Sequence, residues 1–142
     1  MKVLVTGASG FLGSAVLKAI RATEGMTALA GGRRNTGPDS VVFDILSSPA
    51  TLAAALAGVD AVVHCAAGSA QATVAGTRNT LEACRMAGGR QVVHISSIAG
   101  YGNDQGTVLE TTPQVKTTGR SHAASKAMSE ANRRTVAHIN II

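Results

Sequence analysis

Gly7, Gly10 and Gly13 recur at three-residue spacing in the run Thr6-Gly7-Ala8-Ser9-Gly10-Phe11-Leu12-Gly13, immediately after the apolar stretch Met1-Lys2-Val3-Leu4-Val5. Glycines so placed suit the binding of a dinucleotide pyrophosphate. The first permits a tight turn, the second lets the backbone approach the phosphates, and the third lets a new helix pack on its strand, so that helix-terminal N–H groups meet the anion. The chain holds 16 glycines, and an ordinary glycine-rich turn is the competing reading. Context carries the argument: an N-terminal strand precedes this motif and an amphipathic stretch follows it.

A second chemical signal lies about 20 residues past the last of these glycines, where an acidic residue would hold a ribose 2′-OH. No acid stands there. Gly32-Arg33-Arg34 occupies the place, and a guanidinium there can pair with a 2′-phosphate, which favours NADP as the cofactor over NAD. A solvated surface turn accounts for the two arginines equally well. Asp44 either accepts from an adenine amino group or caps the turn into Ser47-Ser48-Pro49.

The elements that must position these residues alternate in type. Strands are expected at Lys2–Thr6, Thr27–Gly31, Ser40–Phe43, Ala61–Cys65 and Gln91–Ser96, with a last one starting near His138. Helical patterns fall between them: Leu12, Val16 and Ile20 at four-residue spacing, a short helix at Thr51–Leu56, and longer ones at Val74–Ala87 and Ser121–Ala137. Gly58 and Gly88-Gly89 supply stops. Repeated βαβ units demand parallel strands with right-handed crossovers, hence an α/β fold with an open, doubly wound, Rossmann-like sheet and ligand at its carboxyl edge.

At 142 residues the chain has the size of one domain, residues 1–142, with no linker. Its 45% hydrophobic content comes with only 2% aromatics, as close-packed helices and buried strands require. No run of about 18 apolar residues is present to span a bilayer, and the amino terminus has no secretory pattern, so a cytoplasmic location without membrane contact is expected. Cys65 and Cys84 lack CxxC spacing and read as reduced packing residues, with a single bridge between them left open. The formal charge of +5 raises the question of nucleic acid. Arg33-Arg34, Arg85, Arg90, Lys116, Arg120, Lys126 and Arg133-Arg134 are dispersed, however, and no aromatic residues interleave with them, so small anions are the expected partners rather than nucleic acid.

Several ordered motifs together resemble the nucleotide-binding part of the extended short-chain dehydrogenases/reductases, the NAD(P)-dependent epimerase/dehydratase family. Thr6–Ser14 resembles its TGxxGxxG turn, and Phe43-Asp44-Ile45-Leu46 its adenine-side segment. Val62-Val63-His64-Cys65-Ala66-Ala67 resembles its strand-four VxHxAA, and Val74–Cys84 its NVxGTxNLLEAA. Val92–Ser97 followed by Tyr101-Gly102 resembles its VxxSS…YG. The resemblance implies cofactor contacts from Gly7, Ser9, Gly10, Phe11, Leu12, Gly13, Arg33, Arg34, Asp44, Ile45, Ala66, Ala67 and Lys126. It also implies catalytic positions at Ser97, His122 and Lys126.

In that family the tyrosine of YxxxK is the acid/base, the lysine lowers its pKa, and a serine or threonine orients the substrate oxygen. Here Ser121-His122-Ala123-Ala124-Ser125-Lys126 keeps the lysine and replaces the tyrosine with His122. Imidazole can donate or accept a proton near neutrality. It is nevertheless shorter than a phenol, and Lys126 one turn away disfavours the imidazolium. Two further departures stand out: only five residues separate Ala67 from Thr73, where relatives carry a longer segment and an asparagine, and the family's substrate lobe has no counterpart before Ile142. Three classes of function follow: an NADP-dependent oxidoreductase or epimerase/dehydratase with impaired chemistry, a non-catalytic NAD(P)H sensor, and a structural α/β domain. A small-molecule substrate is expected, and a homodimer stays open.

Overall fold

The computed structural model describes residues 1–34, 37–97, 101, 107, 109 and 112, together with the backbone of 139–141. Val3–Thr6 are all buried in strand β1 (Lys2–Thr6), the mark of a strand covered on both faces. Around it assemble β2 (Thr27–Gly32), β3 (Ser40–Val42), β4 (Ala61–His64), β5 (Gln91–His94) and β6 (Ile139–Ile141). Every pairing is parallel, and the order is β3-β2-β1-β4-β5-β6. The direction of winding therefore reverses between β1 and β4, which opens a crevice at their carboxyl ends. This is the Rossmann-like sheet that the alternation of elements implied.

Helix α1 (Phe11–Arg21) follows β1 through the glycine turn. Of its residues only Gly13 is fully buried, while Val16, Leu17 and Ile20 are half-buried. Helices α2 (Pro49–Ala55) and α3 (Ala70–Met86) pack together. They cover a core in which Leu4, Val62 and Val92 of the sheet meet Leu52, Leu56, Leu81 and Cys84. Gly76 of α3 packs directly against the Ile45 side chain, which a Cβ there would force to shift.

Both α2 and α3 begin earlier than their apolar periodicity suggests. Ser48 Oγ accepts from the Thr51 amide at 3.2 Å, with Pro49 in the first helical position, so α2 starts at Pro49 instead of Thr51. Ser69 Oγ accepts from the Ala72 amide at 3.2 Å, and α3 starts a full turn before Val74. Capping, not the apolar stripe, sets these starts. Conversely β3, β4 and β5 end at Val42, His64 and His94, short of the expected Phe43, Cys65 and Ser96. The expected helix at Ser121–Ala137 lies outside the described residues. No helix among the described residues is long and apolar enough to cross a membrane.

Both cysteines are free thiols. Burial pushes the Cys84 thiol up to about 12 from 9.0, the Arg90 cation opposing this only in part. At pH 8 its thiolate fraction is then about one in ten thousand. Cys84 should resist a thiol reagent in the native chain and label readily in urea; equal labelling rates by mass spectrometry would contradict its burial. Because the folded thiol binds its proton more tightly than the unfolded one, this group's contribution to stability is complete below about pH 9 and is lost as pH rises toward about 12.

Candidate cofactor site

A cleft of about 500 Å³ opens at the carboxyl ends of β1, β2 and β4, within the range of small-molecule sites. Its floor is the glycine turn. Gly7 has φ +66°, and a Cβ on it would lie 2.8 Å from Ala66 Cα. The β1 turn can thus approach the end of β4 only with glycine there. A Cβ on Gly13 would strike the Gly7 carbonyl oxygen, whereas one on Gly10 would meet only that same oxygen, at 3.2 Å. Gly7 and Gly13 serve the fold; Gly10 leaves space at the cleft.

Gly10 is also the N-cap of α1, and no side chain caps this helix, in contrast to α2 and α3. Its first turn carries no acidic residue. The amides of Phe11, Leu12 and Gly13 have no intrahelical acceptors, and the positive end of the helix dipole faces outward with them, an arrangement fitted to an anion. The Phe11 side chain is 98% exposed, so what this residue offers the site is its backbone.

One wall of the cleft is the segment after β3. Buried Phe43 anchors it, and Asp44 Oδ1 accepts from the Leu46 amide at 3.1 Å. That bond closes the local turn and engages one carboxylate oxygen. This is the turn-capping role considered for Asp44, and the Ser47 amide donates to the Asp44 carbonyl at 2.8 Å in the same turn; the N-cap of α2 itself is Ser48. Asn79 of α3 clamps the segment from below, its Nδ2 donating to the carbonyls of Ile45 and Ser47, each at 3.2 Å. Asn79→Leu removes both bonds, and each part-buried carbonyl so abandoned costs about 1 kcal/mol, the low end for an unsatisfied group, because water reaches it in part. We expect about tenfold weaker adenosine-nucleotide binding with helix content unchanged; undiminished affinity by calorimetry would show that Asn79 does not hold the wall.

The opposite wall is the chain leaving β4. His64, fully buried, bonds Thr6 Oγ1 through Nδ1 at 2.8 Å and Thr77 Oγ1 through Nε2 at 3.1 Å. Thr6 Oγ1 also accepts from the Ala66 amide at 3.2 Å, so one imidazole ties β1, β4 and α3 together directly beneath the cleft. The His94 ring stacks on it at 5.4 Å. Beyond Ala67 the chain turns straight into α3: Thr73, where the family has asparagine, is buried and its Oγ1 accepts from the Gly68 amide at 3.1 Å.

The family model for the NAD dependent epimerase/dehydratase family matches residues 3–138. The chain belongs to this family. A curated family relative in sequence, 2-alkyl-3-oxoalkanoate reductase of Stenotrophomonas maltophilia, is 32% identical over 92% of this chain and 44% of its own length. A short-chain dehydrogenase/reductase superfamily protein of Agrobacterium tumefaciens, solved with bound NAD, superposes with TM-score 0.80 at 30% identity over 99% of this chain and 48% of that one. DesIV, a dTDP-glucose 4,6-dehydratase of Streptomyces venezuelae solved with NAD, gives TM-score 0.81 at 28% identity over 99% of this chain and 54% of that one. The chain thus spans about half the length of the relatives it matches.

Within this family member, Gly7, Ser9, Gly10, Arg33, Asp44, Ile45, Ala66 and Ala67 all line the one cleft. Gly13 sits beneath it, Phe11 and Leu12 stand at the α1 terminus, and Arg34 lines an adjoining groove. Ser97 and Tyr101 are half-buried beyond the carboxyl end of β5, and neither is among the cleft-lining residues. His122 and Lys126 lie outside the described residues. The motif reading gave no role to Cys65, Leu46, Gly68 and Ala72, which also line the cleft, or to Asn79 and Thr77. Asn79 and Thr77 had a signal, since both fall inside the stretch resembling NVxGTxNLLEAA, and Leu46 and Cys65 lie within quoted motifs; Gly68 and Ala72 are visible only in three dimensions.

Proposed function

We propose that this chain is the dinucleotide-binding part of an oxidoreductase or epimerase/dehydratase and that it takes NADP in preference to NAD. The observation that carries the cofactor choice is the end of β2, where Gly32-Arg33-Arg34 stands at the cleft and Arg33 lines it. An acid there would repel a 2′-phosphate; a guanidinium attracts it. The relatives solved with NAD speak for the dinucleotide, and the arginines of this chain speak for the extra phosphate.

The nicotinamide, when bound, supplies or accepts a hydride. The chain's own part is to bind and orient. Amides at the α1 terminus take the pyrophosphate, and the second carboxylate oxygen of Asp44 is available to the adenine amino group. By family resemblance Ser97 orients the substrate oxygen and Lys126 holds the nicotinamide ribose. His122 stands where the acid would be, and its shorter reach makes turnover slow. That same replacement favours a second reading, a sensor that binds NAD(P)H without turnover.

Titration with NADPH and NADH, followed by a turnover assay, tests both. The Arg33→Ala/Arg34→Ala variant should lose about 1.5–3 kcal/mol of NADPH affinity, roughly tenfold to over a hundredfold, with NADH scarcely affected. Equal weakening of both cofactors would show that the arginines do not read the phosphate. Robust NADPH-dependent reduction that His122→Ala abolishes would make histidine the working acid and end the sensor reading.

A further inference from the structure

The chain leaving β4 lines the cleft with Ala66, Ala67 and Gly68, residues with little side chain to anchor them. Ala67 and Gly68 are exposed, and glycine backbone is the costliest to hold still. Two threonine hydroxyls secure this stretch, one at each end. Thr6 Oγ1 of β1 accepts from the Ala66 amide at 3.2 Å; Thr73 Oγ1 of α3 accepts from the Gly68 amide at 3.1 Å and donates to the Gly68 carbonyl at 3.4 Å. Resting on the reading that the cleft takes a nicotinamide dinucleotide, we propose that Thr73 is a positioning residue, whose hydroxyl fixes the wall against which the nicotinamide half of the ligand lies.

Thr73 is built into a firm support. It is 1% exposed and stands in the first turn of the 17-residue helix α3, where its own amide donates to the Ser69 carbonyl at 2.9 Å. The start of α3 does not need the Thr73 hydroxyl, because Ser69 Oγ already accepts from the Ala72 amide and so caps the helix. The bonds of Thr73 Oγ1 serve the wall instead. Ala72, its neighbour, also lines the cleft, and a Cβ on Gly68 would lie 3.3 Å from Ala72 Cβ. Wall and helix start are therefore in contact, and a displaced Gly68 alters the cleft at both.

The topology decides which half of the ligand meets this wall. A dinucleotide lies across the crevice where the winding reverses, here between β1 and β4. Its adenosine ribose is read after β2 and its pyrophosphate sits at the turn after β1. The end of β4 is left for the nicotinamide half. Loss of the Thr73 hydroxyl is then felt by the whole dinucleotide and not by its adenosine part. The sequence hides this, because Thr73 reads there only as a replacement for asparagine, five residues beyond Gly68.

The test measures, by calorimetry on the full chain, each dinucleotide against its own adenosine half: NADPH with 2′,5′-ADP, and NADH with 5′-ADP. Pairing them in this way makes the result independent of which cofactor the chain prefers. Thr73→Val keeps the side-chain shape and removes the hydroxyl; Thr73→Ser keeps the hydroxyl. Thr73→Val should bind both dinucleotides about three- to tenfold more weakly, as the loss of a hydrogen-bonded support implies, with the adenosine halves unchanged and Thr73→Ser matching the wild type. A uniform loss across all the ligands would show that Thr73 acts through the packing of α3. Full dinucleotide affinity in Thr73→Val would show that the wall holds without it, and a Thr73→Ser as weak as Thr73→Val would assign the loss to the methyl group; each of these results overturns the proposal. Amide exchange on the wild type needs no variant: the Gly68 amide should be protected although Gly68 is exposed, and exchange at the rate of an open chain would equally overturn it. A wild type that binds the dinucleotides no better than their halves would end the role of Thr73 and leave nucleotide binding in place. A wild type that binds none of the ligands would overturn the dinucleotide reading itself, and the role of Thr73 with it.

Discussion

Gly10→Val is expected to abolish dinucleotide binding while leaving the fold intact. Gly10 has φ −80° and ψ 169°, extended backbone that a β-branched residue adopts readily. Its added Cβ would meet only the Gly7 carbonyl oxygen, at 3.2 Å, a contact that a small shift relieves. The isopropyl group would then occupy the space where the phosphates approach the α1 amides. Loss of two charge-assisted hydrogen bonds at about 1.5–3 kcal/mol each weakens binding by over a hundredfold. Gly13→Val is the contrasting control, because its Cβ collides with the Gly7 carbonyl and the turn itself must break. Unchanged NADPH affinity in Gly10→Val, with a native circular dichroism spectrum and melting transition, would remove the glycine turn from the cofactor site.

The second large effect is expected at His64. Its ring is 1% exposed and bridges Thr6 and Thr77, so His64→Ala leaves a cavity lined by two hydroxyls that have lost their partner. Cavity formation and the abandoned polar groups together cost about 3–5 kcal/mol, a large share of the roughly 5–15 kcal/mol that holds an ordinary domain folded. Thr6 also holds the Ala66 amide, so weaker cofactor binding should accompany the lost stability. Thr77→Val, which removes one bond of the pair and keeps the side-chain shape, should cost about 1–2 kcal/mol. Urea unfolding measures both, and a His64→Ala midpoint close to that of wild type would mean that the imidazole does not brace the sheet.

Local signals in the sequence determined the element types and the glycine turn. Alternation of apolar strands with amphipathic stretches already implied a parallel, doubly wound sheet, because βαβ units of one hand admit few other arrangements. The glycine spacing located the turn after β1, since the positive φ of Gly7 and the contact of Gly13 with the Gly7 carbonyl are requirements met within a few residues. Apolar periodicity misplaced the starts of α2 and α3, because Ser48 and Ser69 act through single hydrogen bonds that leave no periodic trace.

Only the tertiary structure separated Gly10, which faces open space, from Gly13, which faces a carbonyl. The same holds for contacts between residues far apart in the chain. Asn79 supports a loop 32 to 34 residues before it. His64 joins Thr6, 58 residues away, to Thr77. Leu17 and Arg21 of α1 line one groove with the end of β2 because the winding lays α1 beside that strand. Backbone conformation is governed by neighbours along the chain and can be read from them. A side chain's partners are chosen by the fold, so its role becomes visible only where distant segments are packed together.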